Sequence, residues 1–317
     1  MGQPALGGDY WIGIDLGGTN TRLAAAGSGG AILGRAAERL PPLDPADPVG
    51  GLLRHWDRLR ARIEAAAGLT GRLAGIGLAV PGFVDATAGT VSVLANVFGQ
   101  ARDIPLRDRL ARRWGAPVWL ENDVKAAALG ELHQGWGREL ATFIFLAIGT
   151  GTAAAAILDR RLWRGARGQA GEIAFALTGR EFLGQDFGEN GCLESFASGY
   201  GIGRQSGAAA GTEAAQAPAV FAAAAAGDAG ARDILSAAWD HLAVGLSGAI
   251  TMLDPEAVIL GGGIGLRPEP ETELRARLSR ALPYFPVRIL RSRLGADAQL
   301  LGALAGARGV SAAAQQR

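Results

Sequence analysis

Asp15, Gly17, Gly18 and Thr19 stand close together between two apolar runs, Trp11-Ile-Gly-Ile14 and Thr21-Arg-Leu-Ala-Ala-Ala26. The pattern reads strand, tight turn, strand, and a glycine pair suits a primed hairpin turn, which needs φ > 0. Without Cβ atoms, the N–H groups of such a turn can approach a phosphate closely. Thr19 adds a hydroxyl donor. Asp15 ends the first strand beside that phosphate position. Two like charges repel there unless a cation lies between them, so Asp15 implies Mg²⁺, held through water. Taken alone, the same residues also describe an ordinary hairpin with a solvated aspartate.

A second stretch has the same form. Phe143-Ile-Phe-Leu-Ala-Ile148 leads into Gly149-Thr150-Gly151-Thr152 and then Ala153-Ala-Ala-Ala-Ile157-Leu158. Two such units, each opening one half of the chain, indicate a duplicated fold with two phosphate loops facing across a cleft. Neither matches G-x-x-x-x-G-K-[ST] or G-x-G-x-x-G, so neither is a P-loop or a dinucleotide fingerprint.

The elements that must hold these loops follow from periodicity and breakers. In the first half, a third antiparallel strand begins at Ala31, and 51–67 has helical spacing (Leu52, Leu53, Trp56, Leu59, Ile63). Residues 73–80 form a buried strand stopped by Pro81-Gly82, and 107–114 a short helix. The strand at 117–120 feeds Glu121-Asn122-Asp123 and a helix over 124–135. The second half repeats the plan, with strands at 141–148, 153–158 and 161–164. An alanine-rich helix at 206–232 and a long helix at 233–253 follow. A strand at 257–260 runs into Gly261-Gly262-Gly263. A helix at 271–282, a strand at 287–290 and a closing helix at 298–308 complete the chain. The expected division is a first α/β domain over 1–120, completed by 298–317, and a second over 121–297.

At 317 residues the length suits two domains with buried cores. Hydrophobic residues make up 49% and charged residues 19%, which argues against disorder. With 31 basic and 30 acidic residues the formal charge is +1 and no basic stripe stands out, so neither nucleic acid nor a membrane surface is an expected partner. A single cysteine excludes an internal disulfide and fits a reducing cytoplasm. Residues 1–8 lack a charged and apolar leader pattern, and no long uncharged apolar run resembles a membrane span.

The order of motifs resembles the ROK family of bacterial sugar kinases, repressors and related proteins, within the actin-like ATPase superfamily that includes hexokinases. The resemblance covers about 11–304. It rests on Asp15-Leu-Gly-Gly-Thr-Asn20, Val80-Pro81-Gly82-Phe83-Val84-Asp85, Glu121-Asn122-Asp123-Val124-Lys125-Ala126, Ile148-Gly149-Thr150-Gly151-Thr152, Gly168-Gln169-Ala170-Gly171-Glu172 and Leu260-Gly261-Gly262-Gly263. It implies two actin-like (ribonuclease H-like) α/β domains with an active site in the cleft between them, and use of ATP with Mg²⁺. Asp15, Gly17, Gly18, Thr19, Asn20, Gly149, Thr150, Gly151 and Thr152 would bind phosphates, and Gly261, Gly262 and Gly263 the adenosine side. Asp123 would accept the proton of the sugar hydroxyl; the same residue could instead cap the following helix. Asn122 offers a donor and an acceptor to a sugar hydroxyl, and Glu172 and Glu194 resemble family sugar contacts. Gly82 would let backbone approach the sugar. Asn96 matches a sugar-contacting asparagine in relatives and could equally be a turn residue.

The chain departs from the family pattern in one region. Phe175 stands where a histidine is usual after Gly171-Glu172, and only Cys192 remains of the usual cysteine set. One thiolate cannot close a tetrahedral zinc site, and His55, His133 and His241 are distant in sequence. The expectation is therefore no zinc, with Cys192 as a small buried apolar residue. Phe175 would close the sugar pocket hydrophobically and put the identity of the sugar in question. The expected activity is an ATP-dependent hexose kinase, glucokinase-like with glucose favoured. The alternatives are fructose, N-acetylglucosamine or N-acetylmannosamine as acceptor, or a non-catalytic sugar sensor. A repressor is disfavoured because the first strand begins near Tyr10, leaving no room for a helix-turn-helix. The family also suggests a homodimer.

Overall fold

The computed structural model of the protein describes residues 7–44, 46–92, 97–98, 101–207 and 212–315. Strands β1 (Tyr10–Leu16) and β2 (Asn20–Gly27) form the first hairpin, and β3 (Ile32–Arg39) adds antiparallel to β2. Helix α1 (Pro48–Ala67) opens on Asp47, whose carboxylate accepts Gly50 N at 3.0 Å, and ends at the left-handed Gly68. The wholly buried β4 (Leu73–Val80) returns parallel to β1. A short ribbon, β5 (Phe83–Asp85) and β6 (Thr90–Ser92), and helix α2 (Leu106–Trp114) lead to β7 (Val118–Asn122), parallel to β4. Helix α3 (Asp123–Gln134) follows without a loop.

The second half opens with β8 (Phe143–Ile148), β9 (Thr152–Leu158) and β10 (Arg161–Trp163). Helices α4 (Glu194–Ala197), α5 (Gly199–Gln205), α6 (Glu213–Ala225) and α7 (Ala229–Leu253) precede β11 (Ala257–Gly261). Helices α8 (Gly262–Gly265) and α9 (Pro268–Ala281), strand β12 (Arg288–Arg291) and helix α10 (Ala298–Gln315) close the chain. The alanine-rich 206–232 stretch is not one helix. Gly227 takes φ 102, and Asp228 caps a new start by accepting Ala231 N at 2.7 Å, so the long helix begins at Ala229.

The strand orders are β3-β2-β1-β4-β7 and β10-β9-β8-β11-β12. In each sheet the first two neighbouring pairs are antiparallel and the last two parallel, so the duplication read from the two loops extends to the whole sheet. The chain divides into two compact units. The first comprises Met1–Gln134, Gly165–Gln169 and Asp297–Arg317, and the second Gly135–Arg164 and Ala170–Ala296. The division falls after α3 instead of at residue 120, because β7 is an integral strand of the first sheet and α3 packs on α10.

In the first unit, Ile12, Ile14 and Leu16 share one face of β1 and join Leu52, Trp56, Leu59 and Ile63 of α1 in one core. The opposite face receives α10 at close range. A Cβ on Gly77 of β4 would overlap Ala303 O, and one on Gly302 would overlap Ala126 O of α3. In the second unit, Ile144, Leu146 and Ile148 of β8 pack with Leu235, Trp239, Leu242 and Leu246 of α7.

Candidate functional site

Parallel strands place their carboxyl ends together, and in α/β sheets that end carries the ligand site. In the first unit Asp15 pairs with Ala79, and Val80 with Asn122. Asp15, Pro81-Gly82 and Asp123 therefore emerge at one edge of the sheet. The hairpin is closed by Gly17 N donating to Asn20 O at 2.8 Å, which leaves Gly18 and Thr19 at the tip. Gly17 does not take a left-handed φ, so its glycine is not explained by a primed turn. The tip is tied down by Leu40 N, which donates to Thr19 O at 2.9 Å, and by Asn20 Nδ2, which lies 3.2 Å from Thr19 Oγ1. A cavity of about 760 Å³ adjoins it, walled by Gly18, Thr19, Arg39, Leu40 and Val97 among others.

Asp15 is buried, and its nearest cation is within the chain. Arg22, directly opposite in the hairpin register, donates through Nε at 2.8 Å and Nη2 at 2.5 Å to Asp15 Oδ2. Asp297 lies 3.8 Å from Arg22 Nη1 and 2.7 Å from Arg35 Nη1. Burial raises the Asp15 carboxyl above its usual range, the Arg22 guanidinium opposes that rise, and Asp297 adds to it. Both Arg22 contacts fall on Oδ2. Oδ1 can still accept from a metal-bound water, a fit to Mg²⁺, which keeps several waters and uses few carboxylates.

At the end of β7, Asn122 rather than Asp123 is the main cap of α3. Asn122 Oδ1 accepts Val124 N at 3.0 Å and Lys125 N at 3.3 Å, and Nδ2 donates to Gly82 O at 3.1 Å. Asp123 Oδ1 accepts the amide of its own neighbour Val124 at 2.8 Å. Gly82 has φ 82, which a residue with a Cβ would take only under strain. Glu121 is buried, and its Oε1 accepts Asn122 N at 3.1 Å. The ammonium of Lys125, buried on α3, donates to Gly168 O at 2.7 Å and so fixes the Gly165–Gln169 segment to the first unit. Asn96 lies outside the described residues.

In the second unit the 149–152 loop turns tightly, with Gly149 N donating to Gly151 O at 2.9 Å. Gly262, at φ 77, sits against Ile148, where a Cβ would overlap the carbonyl, and a Cβ on Gly149 would lie 3.9 Å from Gly263 N. The 149–152 and 261–263 loops are thus neighbours at the carboxyl ends of β8 and β11. Glu194, heading α4, accepts Thr152 N through Oε2 at 2.7 Å. Burial raises its carboxyl, the Thr152 bond opposes this, and the nearby charge of Glu172 adds to it. Glu172 follows Gly171, where φ is 92 and a Cβ would overlap Ala154 O.

Phe175 is about half exposed, at 47%. Cys192 is buried as expected, yet it is not among apolar groups alone: Thr178 Oγ1 lies 3.5 Å from its sulfur and 2.6 Å from His241 Nδ1. His241 is therefore near the cysteine in space although remote in sequence. Among the described residues, no group of three or more His, Cys, Asp or Glu side chains is arranged to hold a metal. No described helix is long and apolar enough to cross a membrane.

The model of the ROK family matches residues 11–309. The chain belongs to the ROK family. ROK relatives include the bifunctional enzyme NanE/NanK of Brucella melitensis biotype 1, 36% identical over 295 residues, covering 92% of this chain and 52% of that protein. The chain thus spans about half the length of that relative. A glucokinase of Halalkalibacterium halodurans is 30% identical over 320 residues, covering 92% of this chain and 93% of that one. Among solved structures, a ROK hexokinase from Thermus thermophilus superimposes with a TM-score of 0.78 at 31% identity, covering 94% of this chain and 98% of that one. The two-unit architecture is the actin-like fold of ROK sugar kinases. Within it, three features were not read from the sequence: Arg22 as the partner of Asp15, Lys125 as the tether of 165–169, and the 194–200 stretch against the second loop. Arg22 was within reach, since a two-residue tip fixes the register that puts it opposite Asp15. The other two depend on long-range packing that spacing does not encode.

Proposed function

We propose that the chain transfers the γ-phosphoryl group of ATP to a hexose hydroxyl, with glucose the favoured acceptor and Asp123 the general base. The observation that carries this reading is the division of labour at the end of β7. Asn122 caps α3 through two amides, so the cap does not depend on the Asp123 carboxylate, and a carboxylate at that position can serve as the base. In the reaction the hydroxyl oxygen bonds to the γ-phosphorus, the bond to the bridging oxygen breaks, ADP leaves, and the hydroxyl proton passes to the Asp123 carboxylate. Gly17, Gly18, Thr19 and Asn20 of the first unit and the 149–152 loop of the second hold phosphates, while 261–263 faces the adenosine. Asn122, Gly82, Glu172 and Glu194 orient the sugar. Asp15 would hold Mg²⁺, which would supply charge neutralisation at the phosphate oxygens.

A second acceptor class is favoured by a specific observation. Phe175, whose N–H donates to Glu172 O at 3.3 Å, stands where the family resemblance leads one to expect a histidine, and its ring suits the methyl end of an N-acetyl substituent. An N-acetyl-D-glucosamine kinase from Escherichia coli O127:H6 is 30% identical over 312 residues. An ADP-release assay over glucose, mannose, fructose, N-acetylglucosamine and N-acetylmannosamine tests both readings. Turnover of glucose at the highest kcat/KM supports the first, and turnover of an N-acetylated hexosamine the second. No ADP release with any sugar would reject the kinase activity.

We also propose that the protein carries no structural zinc. Thr178, a hydroxyl, stands between Cys192 and His241, and a second thiolate is absent from the sequence. Elemental analysis should find well under one zinc per chain. About one zinc per chain retained through chelator treatment would overturn this.

A further inference from the structure

The 149–152 loop is gripped from behind by one stretch of chain, 194–200. Thr152 N donates to Glu194 Oε2 at 2.7 Å, and Thr152 Oγ1 donates to Ala197 O at 3.0 Å. Gly199 N donates to Gly149 O at 2.8 Å, and Tyr200 N to Thr150 O at 3.0 Å. Two glycines make this possible. A Cβ on Gly151 would overlap the Glu194 carboxylate, and one on Gly199 would lie 2.8 Å from Gly149 O. With the carbonyls of Gly149 and Thr150 held by amides of α5, the conformation of the loop is set by α4 and α5.

That stretch is in turn anchored by rings. Phe196 of α4 stacks on His241 of α7, with centroids 4.1 Å apart and planes 12° from parallel. Phe182 and Phe187 pack against Phe196 at 5.2 and 6.2 Å. Thr178 fixes the imidazole through Nδ1. Arg204 Nη2 and Gln205 Nε2 donate to Ser195 O and Phe196 O at 3.1 and 3.0 Å, which locks α4 to α5. The Thr152 bond uses Glu194 Oε2, so the carboxylate is tied to the loop whatever its other oxygen contacts.

We propose that Glu194 is a positioning residue for the nucleotide-side loop as well as an acceptor-side group, held in place by the Phe196–His241 stack. This rests on the reading of 149–152 as a phosphate loop. The test uses the full chain and a non-hydrolysable ATP analogue with Mg²⁺, titrated calorimetrically without sugar, alongside separate KM values for ATP and sugar. Glu194→Ala should weaken analogue binding by about tenfold, the scale of a lost buried hydrogen bond. Glu194→Gln keeps an oxygen for Thr152 N, so it should restore analogue affinity to within about threefold of wild type while sugar affinity stays weak. Phe196→Leu, with Glu194 intact, should weaken analogue binding in the same direction, and it decides the matter if Glu194→Ala does not fold. Analogue affinity unchanged in both Glu194→Ala and Phe196→Leu overturns the proposal, as does failure of glutamine to restore it. A wild type that binds the analogue but phosphorylates no sugar rejects the kinase reading alone, and the same titrations still decide the role of Glu194. A wild type that binds no analogue removes the phosphate loop and this proposal together.

Discussion

Asn122 and Asp123 sit side by side at the end of β7 and do different work. Asn122 uses both ends of its amide within the protein, on two α3 amides and on Gly82 O. Asp123 Oδ1 accepts Val124 N, a bond that an asparagine oxygen can reproduce. Asp123→Asn should therefore leave the melting temperature within about 1 °C of wild type and sugar affinity nearly intact, since Asn caps about as well as Asp. It should lower kcat by at least ~10²-fold, because the amide cannot take the proton. A near-normal kcat sinks the catalytic assignment. Asn122→Ala should behave differently, costing about 1 kcal/mol of stability through the lost cap, measured by urea unfolding, and raising the sugar KM. Equal stability of the two variants would contradict the division of labour. The sequence could not separate these roles, because either residue type caps a helix and only side-chain geometry says which one does.

At the scale of elements, the loops and strands were legible and their supports were not. Apolar runs interrupted by glycine marked β1, β2, β8 and β9, because a strand–turn–strand unit leaves a local signature. The register of Asp15 with Arg22 was within reach of that signature, though it was not read from it, whereas the grip of 194–200 on the second loop was not, since nothing local announces it. The glycines inside β4 show the same limit. A glycine in a strand signals close approach of another backbone, and only the structure shows that Gly77 faces Ala303 O of α10. A methyl group there has no space, and the obstacle is backbone that can yield only by moving α10. Gly77→Ala should destabilise the first unit by at least about 2 kcal/mol, in the range of overpacking in a tight core. Thermal unfolding measures it. A variant as stable as wild type would mean that α10 does not lie against β4 as described.

At the scale of the whole molecule, duplication was visible in the sequence because the two Gly/Thr loops recur with the same flanking strands. The return of the C-terminus to the first unit was also anticipated, in the assignment of 298–317 to the first domain. The placement of α3 was not, because its amphipathic signal is blurred by small residues on several faces, which α10 and the sheet both cover. The energetic consequence concerns the last helix. Asp297 is the shared counter-charge of Arg22 and Arg35, and α10 covers the β1 and β4 face that carries Gly13 and Gly77. A chain ending after Ala296 would expose that face and take the Asp297 carboxylate away from Arg35 and Arg22, of which Arg22 keeps Asp15. The second unit, which holds its own sheet, α7 and α9, loses no element. Hydrogen exchange read by mass spectrometry should then show β1, β4 and β7 exchanging at close to unfolded rates, while β8 and β11 keep their protection. Protection retained in β1 and β4 would show that α10 is dispensable to the first fold. Loss of protection in both units would show that they do not fold independently.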